Sequence, residues 1–198
     1  MRYASSRPAP LSRTTLVLGL YGAMALLALM IAAGRGDPDA YRAAVRGPAW
    51  LLASPVVGLL AGLVLVALSQ AAARFTRWGQ ALRQSFRDLL GPLATRDIVV
   101  LAAASAVGEE LLFRGALLPW LGPVAQAALF AALHIGPGRR FVPWTLSAFA
   151  CGLVLAGLVA ITGDLGAAIV AHFTINFCNL RFIVGARAGE RSRVESPA

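Results

Sequence analysis

The chain has 198 residues, of which 58% are hydrophobic and only 14% charged; its mean hydropathy is +0.71, and its net charge of +9 comes from 18 arginines against nine acids, with no lysine. Soluble globular domains run about 45–50% apolar and about 25% charged, so this composition excludes an ordinary soluble domain and points to a polytopic membrane protein. The arginines fall between apolar runs, the pattern of topology determinants, so membrane lipid is an expected partner and nucleic acid is not.

Met1–Thr15 is polar and carries Arg2, Arg7 and Arg13, and Leu16–Ala33 then runs apolar for about one bilayer crossing. That run is longer than the 7–15 or so apolar residues of a secretory signal, and more spans follow, so it is expected to stay as a first helix. Gly34–Gly47 is a short loop and Pro48–Ala73 a second span. Between Arg74 and Arg96 the arginines at 74, 77, 83, 87 and 96 alternate with Phe75, Trp78, Leu82, Phe86, Leu89 and Leu90 at three- and four-residue steps. Such spacing predicts an amphipathic helix lying in the membrane interface. Asp97–Leu121 reads as the third span, broken at Gly122–Pro123, and Val124–Ile135 follows as a run too short for a full crossing. Gly136–Arg140 is a basic turn, Phe141–Thr162 a fifth span, Gly163–Asp164 a polar break and Leu165–Val184 a sixth.

The expected fold is therefore all-α, a polytopic membrane helical bundle of about six transmembrane helices with the interfacial helix before the third. Residues 1–96 form an N-terminal two-span region, 97–184 a four-helix core and 185–198 a basic, disordered tail. Arginine counts place both termini on the cytoplasmic side of the cell inner membrane. Trp50, Trp78, Trp120 and Trp144 sit near span ends and read as interface anchors. Cys151 and Cys178 lie in apolar runs and read as buried small hydrophobes. Asp37, Asp39 and Asp164 fall in loops and receive no role.

The stretch Ser105–Gly115, SAVGEELLFRG, puts two carboxylates and an arginine among small and greasy residues. A charge at the centre of a membrane helix costs about 2.5–3.5 kcal/mol even on the lenient scale, so charged residues there default to function. Glu110 and Arg114 are four apart and share a helix face, where they can pair; Glu109 stands about 100° round the helix and is left unpaired. The only histidines, His134 and His172, also lie in or at the end of apolar runs. His172 projects with Asn176, and Phe130 with His134, again at four-residue spacing.

Folded together, Glu109, His134, His172 and Asn176 can line one polar cavity. A carboxylate and an imidazole can hold and deprotonate a water that attacks a peptide carbonyl. A second imidazole beside an amide NH2 can donate to the developing oxyanion. One glutamate and two histidines, here Glu109, His134 and His172, are also a ligand set for catalytic zinc, and the sequence does not separate the two chemistries. For straight helices the depths of Glu109, His134 and His172 disagree, so either the fourth segment stops inside the protein or one of the span limits lies several residues away.

GEELLFRG resembles the EExxxR signature of the CAAX prenyl-endopeptidase and bacteriocin-processing (CPBP, or Abi) family of intramembrane proteases, with Glu109, Glu110 and Arg114 at its fixed positions. FAALH, Phe130–His134, is similar to that family's FxxxH motif, and HFTIN, His172–Asn176, to its HxxxN motif. The three occur in order over about residues 97–184, and the resemblance implies that this stretch is a CPBP-type protease core. The resemblance implies an intramembrane endopeptidase cutting near the C-terminus of a membrane-associated or exported protein that carries a C-terminal processing signal. It implies that Glu109 and His134 activate water, that His172 and Asn176 form the oxyanion hole, and that Glu110, Arg114 and Phe130 support the site. No cofactor is required by the residues; zinc stays open, because family members have been described both as metalloproteases and as glutamate-type proteases. The competing class is a non-enzymatic membrane protein: an immunity or scaffold factor, or a small proton-coupled transporter.

Overall fold

The structure, a computed structural model, describes residues 12–37, 39–41 and 47–185. Arg2, Arg7 and the expected disordered tail after Gly185 lie outside the described residues. Every regular element among those described is helical: α1 Arg13–Gly34, α2 Gly47–Phe75, α3 Arg77–Leu90, α4 Thr95–Glu110, a π-helical segment Leu111–Leu117, α5 Leu118–Ala132, a 3-10 turn Arg139–Phe141, α6 Val142–Thr162 and α7 Gly166–Val184. Helix starts use the expected chemistry. The Ser12 hydroxyl accepts from the Thr15 amide at 3.1 Å, and that of Thr76 from Gly79 at 3.0 Å, satisfying donors that a helix start leaves free.

Among the described residues four helices are long and apolar enough to cross a membrane: α1, α2, α6 and α7. The number rises to five if α3 and the Thr95–Ala132 run, bent by 107° against each other, count as one span. By length and composition alone the described residues thus supply four or five crossings, and the expected count of six is not confirmed. The charged triad interrupts the apolar run of α4, and Gly122, at φ 76 and followed by Pro123, breaks α5 so that only a short stretch leads to Ala132.

The amphipathic stretch is helical as expected, but α3 does more than lie on a surface. Arg83 Nη2 donates to the Phe182 carbonyl at 3.0 Å and Arg87 Nε to that of Ile183 at 3.2 Å, capping the C-terminus of α7 where carbonyls lack helical partners. The Arg83 guanidinium also lies 3.9 Å from the centre of the Phe182 ring. On the next turn, Phe86 meets Phe141 and Trp144 edge-on, with centroids 5.1 and 5.0 Å apart. Arg13 of α1 donates to the Leu90 carbonyl at 3.3 Å. One end of the bundle thus gathers the starts of α1, α4 and α6 and the ends of α2 and α7 around α3.

The broadest helix contact is α2 against α7, which run parallel. Gly58 and Gly62 allow it: a Cβ on Gly58 would lie 2.2 Å from the Ala167 carbonyl oxygen, and one on Gly62 2.9 Å from that of Ala171. Small residues four apart let membrane helices approach this closely. Ala171 precedes His172, so the glycine seam sets the position of the third motif.

Asp164, expected to be an idle loop residue, is fully buried. Its Oδ1 accepts from the Ser54 hydroxyl at 2.5 Å and from the Gly166 amide at 2.7 Å, while Ser54 accepts from the Ala167 amide at 2.8 Å. The carboxylate therefore caps α7 and ties its start to α2. Cys151 and Cys178 are free thiols, and both are half-buried rather than sealed in the core.

Candidate active site

α4 carries the signature to its C-terminus, where the α-helix gives way to the π-helical turn. A π turn leaves carbonyls poorly paired and recurs at functional sites. Here the Arg35 guanidinium, at the end of α1, donates to the Gly115 and Ala116 carbonyls, and the Ala40 carbonyl packs where Gly115 has no side chain.

Glu110 and Arg114 form the expected pair. Arg114 Nη1 donates to Glu110 Oε1 at 2.8 Å, and both side chains are fully buried. Arg114 Nη2 donates to the Gly152 carbonyl at 3.3 Å, and Gln126 Nε2 donates to the same carbonyl at 3.1 Å. The guanidinium lies 4.5 Å from the centre of the Phe130 ring. Phe130 is central to the site. Its ring meets Phe113 edge-on at 5.1 Å, His134 at 4.3 Å and His172 at 6.0 Å, so one aromatic wedge spaces the arginine from both imidazoles.

The two imidazoles are held in the same sense. His134 Nδ1 lies 2.7 Å from the Phe130 carbonyl, which can only accept, so Nδ1 bears the proton and Nε2 faces inward. His172 Nδ1 donates to Glu110 Oε1 at 2.7 Å, again leaving Nε2 to face inward. Both Nε2 atoms point at one oxygen, Glu109 Oε2, at 3.9 Å for His134 and 3.7 Å for His172. These separations are too long for direct hydrogen bonds and match a water about 2.7–2.9 Å from each partner. Glu109 Oε2 is itself buried with no hydrogen-bond partner, a state that calls for a water or a reacting group.

Asn176 lies one turn along α7, its Nδ2 donating to the Ser105 hydroxyl at 2.9 Å. The structure thus brings Glu109, Glu110, Arg114, Phe130, His134 and His172 into one cluster, with Asn176 at its edge. Trp144, expected to be an interface anchor, instead lays its ring 5.2 Å from that of His134. Three further neighbours went unread in the sequence. Ser105, four residues before Glu109, shares its helix face and could have been found by spacing. Tyr21 of α1 packs beside the signature, its backbone filling the space left by Gly108, where a Cβ would lie 2.8 Å from the Tyr21 carbonyl oxygen. Thr145 donates to the His134 carbonyl at 2.8 Å. No sequence pattern singled out the last two.

The zinc reading fares differently. Tetrahedral ligands about 2.0–2.1 Å from zinc stand roughly 3.3–3.4 Å from one another, and the separations of 3.7 and 3.9 Å are wider. Among the described residues no group of three His, Cys, Asp or Glu side chains is arranged to hold a metal ion.

Residues 91–178 match the family described as type II CAAX prenyl endopeptidase Rce1-like. The chain is also similar to an uncharacterized Bacillus subtilis protein, YpbD, at 34% identity over 105 residues, 50% of this chain and 53% of that one; the match spans about half the length of this curated relative. No solved structure matches the chain significantly.

Proposed function

From the premise that residues 91–178 belong to the type II CAAX prenyl endopeptidase Rce1-like family, we propose that the chain is an intramembrane endopeptidase. It hydrolyses a peptide bond near the C-terminus of a membrane-associated protein with a Glu/His-activated water. The observation that carries this reading is the convergence of two imidazole Nε2 atoms on the unpartnered Glu109 Oε2.

A water seated between Glu109 Oε2 and His134 Nε2 meets two acceptors and gives each a proton in a hydrogen bond. As its oxygen attacks the peptide carbonyl, one water proton passes to Glu109 and the new C–O bond pushes electrons onto the carbonyl oxygen. His172 Nε2–H and the free Asn176 N–H receive that charge. Collapse of the adduct breaks the C–N bond, and the proton held by Glu109 goes to the leaving amine. For His172 to donate from Nε2 while Nδ1–H binds Glu110, it must be an imidazolium. Glu110, Arg114 and Phe130 position His172 rather than touch substrate.

The openness of the site is graded: 18% of the His134 side chain is exposed against 9% of Glu109 and 6% of His172. Substrate therefore enters past His134, at the arginine-rich end where α3 lies, and the positive-inside rule makes that end cytoplasmic.

The test compares C-terminal peptides of the membrane proteome in cells whose sole copy is wild type or Glu109→Gln. The expected result is a membrane protein that accumulates in a longer form only with the variant. Identical C-termini in both would overturn the reading.

A further inference from the structure

We infer that Ser105 is a positioning residue that fixes the orientation of the Asn176 amide and so aims its second N–H into the site. The inference rests on the hydrolytic reading for its consequence and on hydrogen-bond bookkeeping for its geometry. A serine hydroxyl has one proton. That proton goes to the Ala102 carbonyl at 3.2 Å, within α4. The hydroxyl oxygen can then only accept from Asn176, so the Asn176 group 2.9 Å away is its NH2 and not its carbonyl oxygen. One N–H is used on Ser105 and the other is free to donate.

Ser105 is 3% exposed, so no solvent competes for its hydroxyl. It also stands one turn before Glu109 on the same face of α4, so the residue that orients the oxyanion donor and the residue that activates water ride on one rigid helix. Without the hydroxyl, the Asn176 amide loses the contact that distinguishes its nitrogen from its oxygen. Turned over, it would present an acceptor to a developing negative charge.

Asn176 and Asn179 are the only asparagines in the chain. Selective 15N-asparagine labelling of the full chain in lipid nanodiscs therefore yields two side-chain NH2 pairs. Asn179, whose side-chain amide lies 3.1 Å from the Ser69 hydroxyl, serves as the internal reference. Ser105→Ala is expected to shift the Asn176 pair and draw its two protons together while the Asn179 pair stays in place. Ser105→Thr, which keeps the hydroxyl, is expected to retain the native pair. An Asn176 pair unchanged in Ser105→Ala would overturn the assignment whatever the protein hydrolyses.

The functional consequence is read in cells as the ratio of long to trimmed substrate. Ser105→Ala is expected to slow trimming by about tenfold, in line with the cost of misaligning a transition-state donor. In an Asn176→Ala background it should add nothing. Wild-type trimming in Ser105→Ala, or an additive loss in the double variant, would sink the positioning role. Unchanged trimming in Glu109→Gln would instead sink the hydrolytic reading and leave the amide orientation standing.

Discussion

Glu110 and His172, on helices far apart in sequence, are joined by a hydrogen bond of 2.7 Å from His172 Nδ1 to Glu110 Oε1, the same oxygen that takes Arg114 at 2.8 Å. The second glutamate of the signature is thus a bridge between two motifs, while the first faces the reaction space. Removing one partner from a buried charged pair costs about 3–5 kcal/mol, because the other is left uncompensated. Glu110→Gln is therefore expected to lower both trimming activity and the apparent melting temperature in detergent, and Arg114→Leu to do so more severely.

Glu109→Gln makes the opposite prediction. Glu109 Oε2 has no hydrogen-bond partner to lose, so an isosteric amide should leave the melting temperature close to wild type while abolishing trimming. A melting temperature that falls as far as in Glu110→Gln would mean that Glu109 is a structural residue and that the two carboxylates have not divided their tasks.

Much of this arrangement was legible in the sequence. Four-residue spacing paired Glu110 with Arg114, Phe130 with His134 and His172 with Asn176, and hydropathy showed that each pair lay where charge is costly. The break at Gly122 was legible too, because glycine followed by proline cannot continue a helix. The number of crossings was not, since hydropathy registers an apolar run without saying whether it crosses or turns back. Asp164 read as a loop residue because its partner Ser54 lies 110 positions away. Arg83 and Arg87 read as surface charges because nothing local shows that the carbonyls of Phe182 and Ile183 stand above them.

Tyr21 extends the site to α1, outside the segment that matches the family. Its side chain lies near enough to Glu109 for the two to interact. Tyr21→Phe keeps the backbone and Cβ against Gly108 and removes only the hydroxyl. Trimming is expected to slow several-fold while the melting temperature stays close to wild type. Trimming at the wild-type rate would show that α1 contributes packing alone.

Chelation separates the two chemistries left open by the residue types. With donors at 3.7 and 3.9 Å that fit a bridging water better than zinc, trimming by the purified protein in liposomes is expected to survive prolonged 1,10-phenanthroline treatment. Loss of activity restored by added zinc, with a metal content near one per chain, would show that the cluster contracts around an ion.

The seam between α2 and α7 offers a test at a distance from the chemistry. A Cβ on Gly62 would lie 2.9 Å from both the Ala171 carbonyl oxygen and the Thr174 Cβ, so even one methyl must push α7 outward. Overpacking of this kind costs about 1–3 kcal/mol, and the displaced helix carries His172. Gly157 of α6 has open space where its Cβ would go, and there alanine should gain from helix propensity. Gly62→Ala is accordingly expected to lower the melting temperature and slow trimming together, while Gly157→Ala leaves both at or above wild type. Equal behaviour of the two variants would show that the glycine seam does not fix the position of His172.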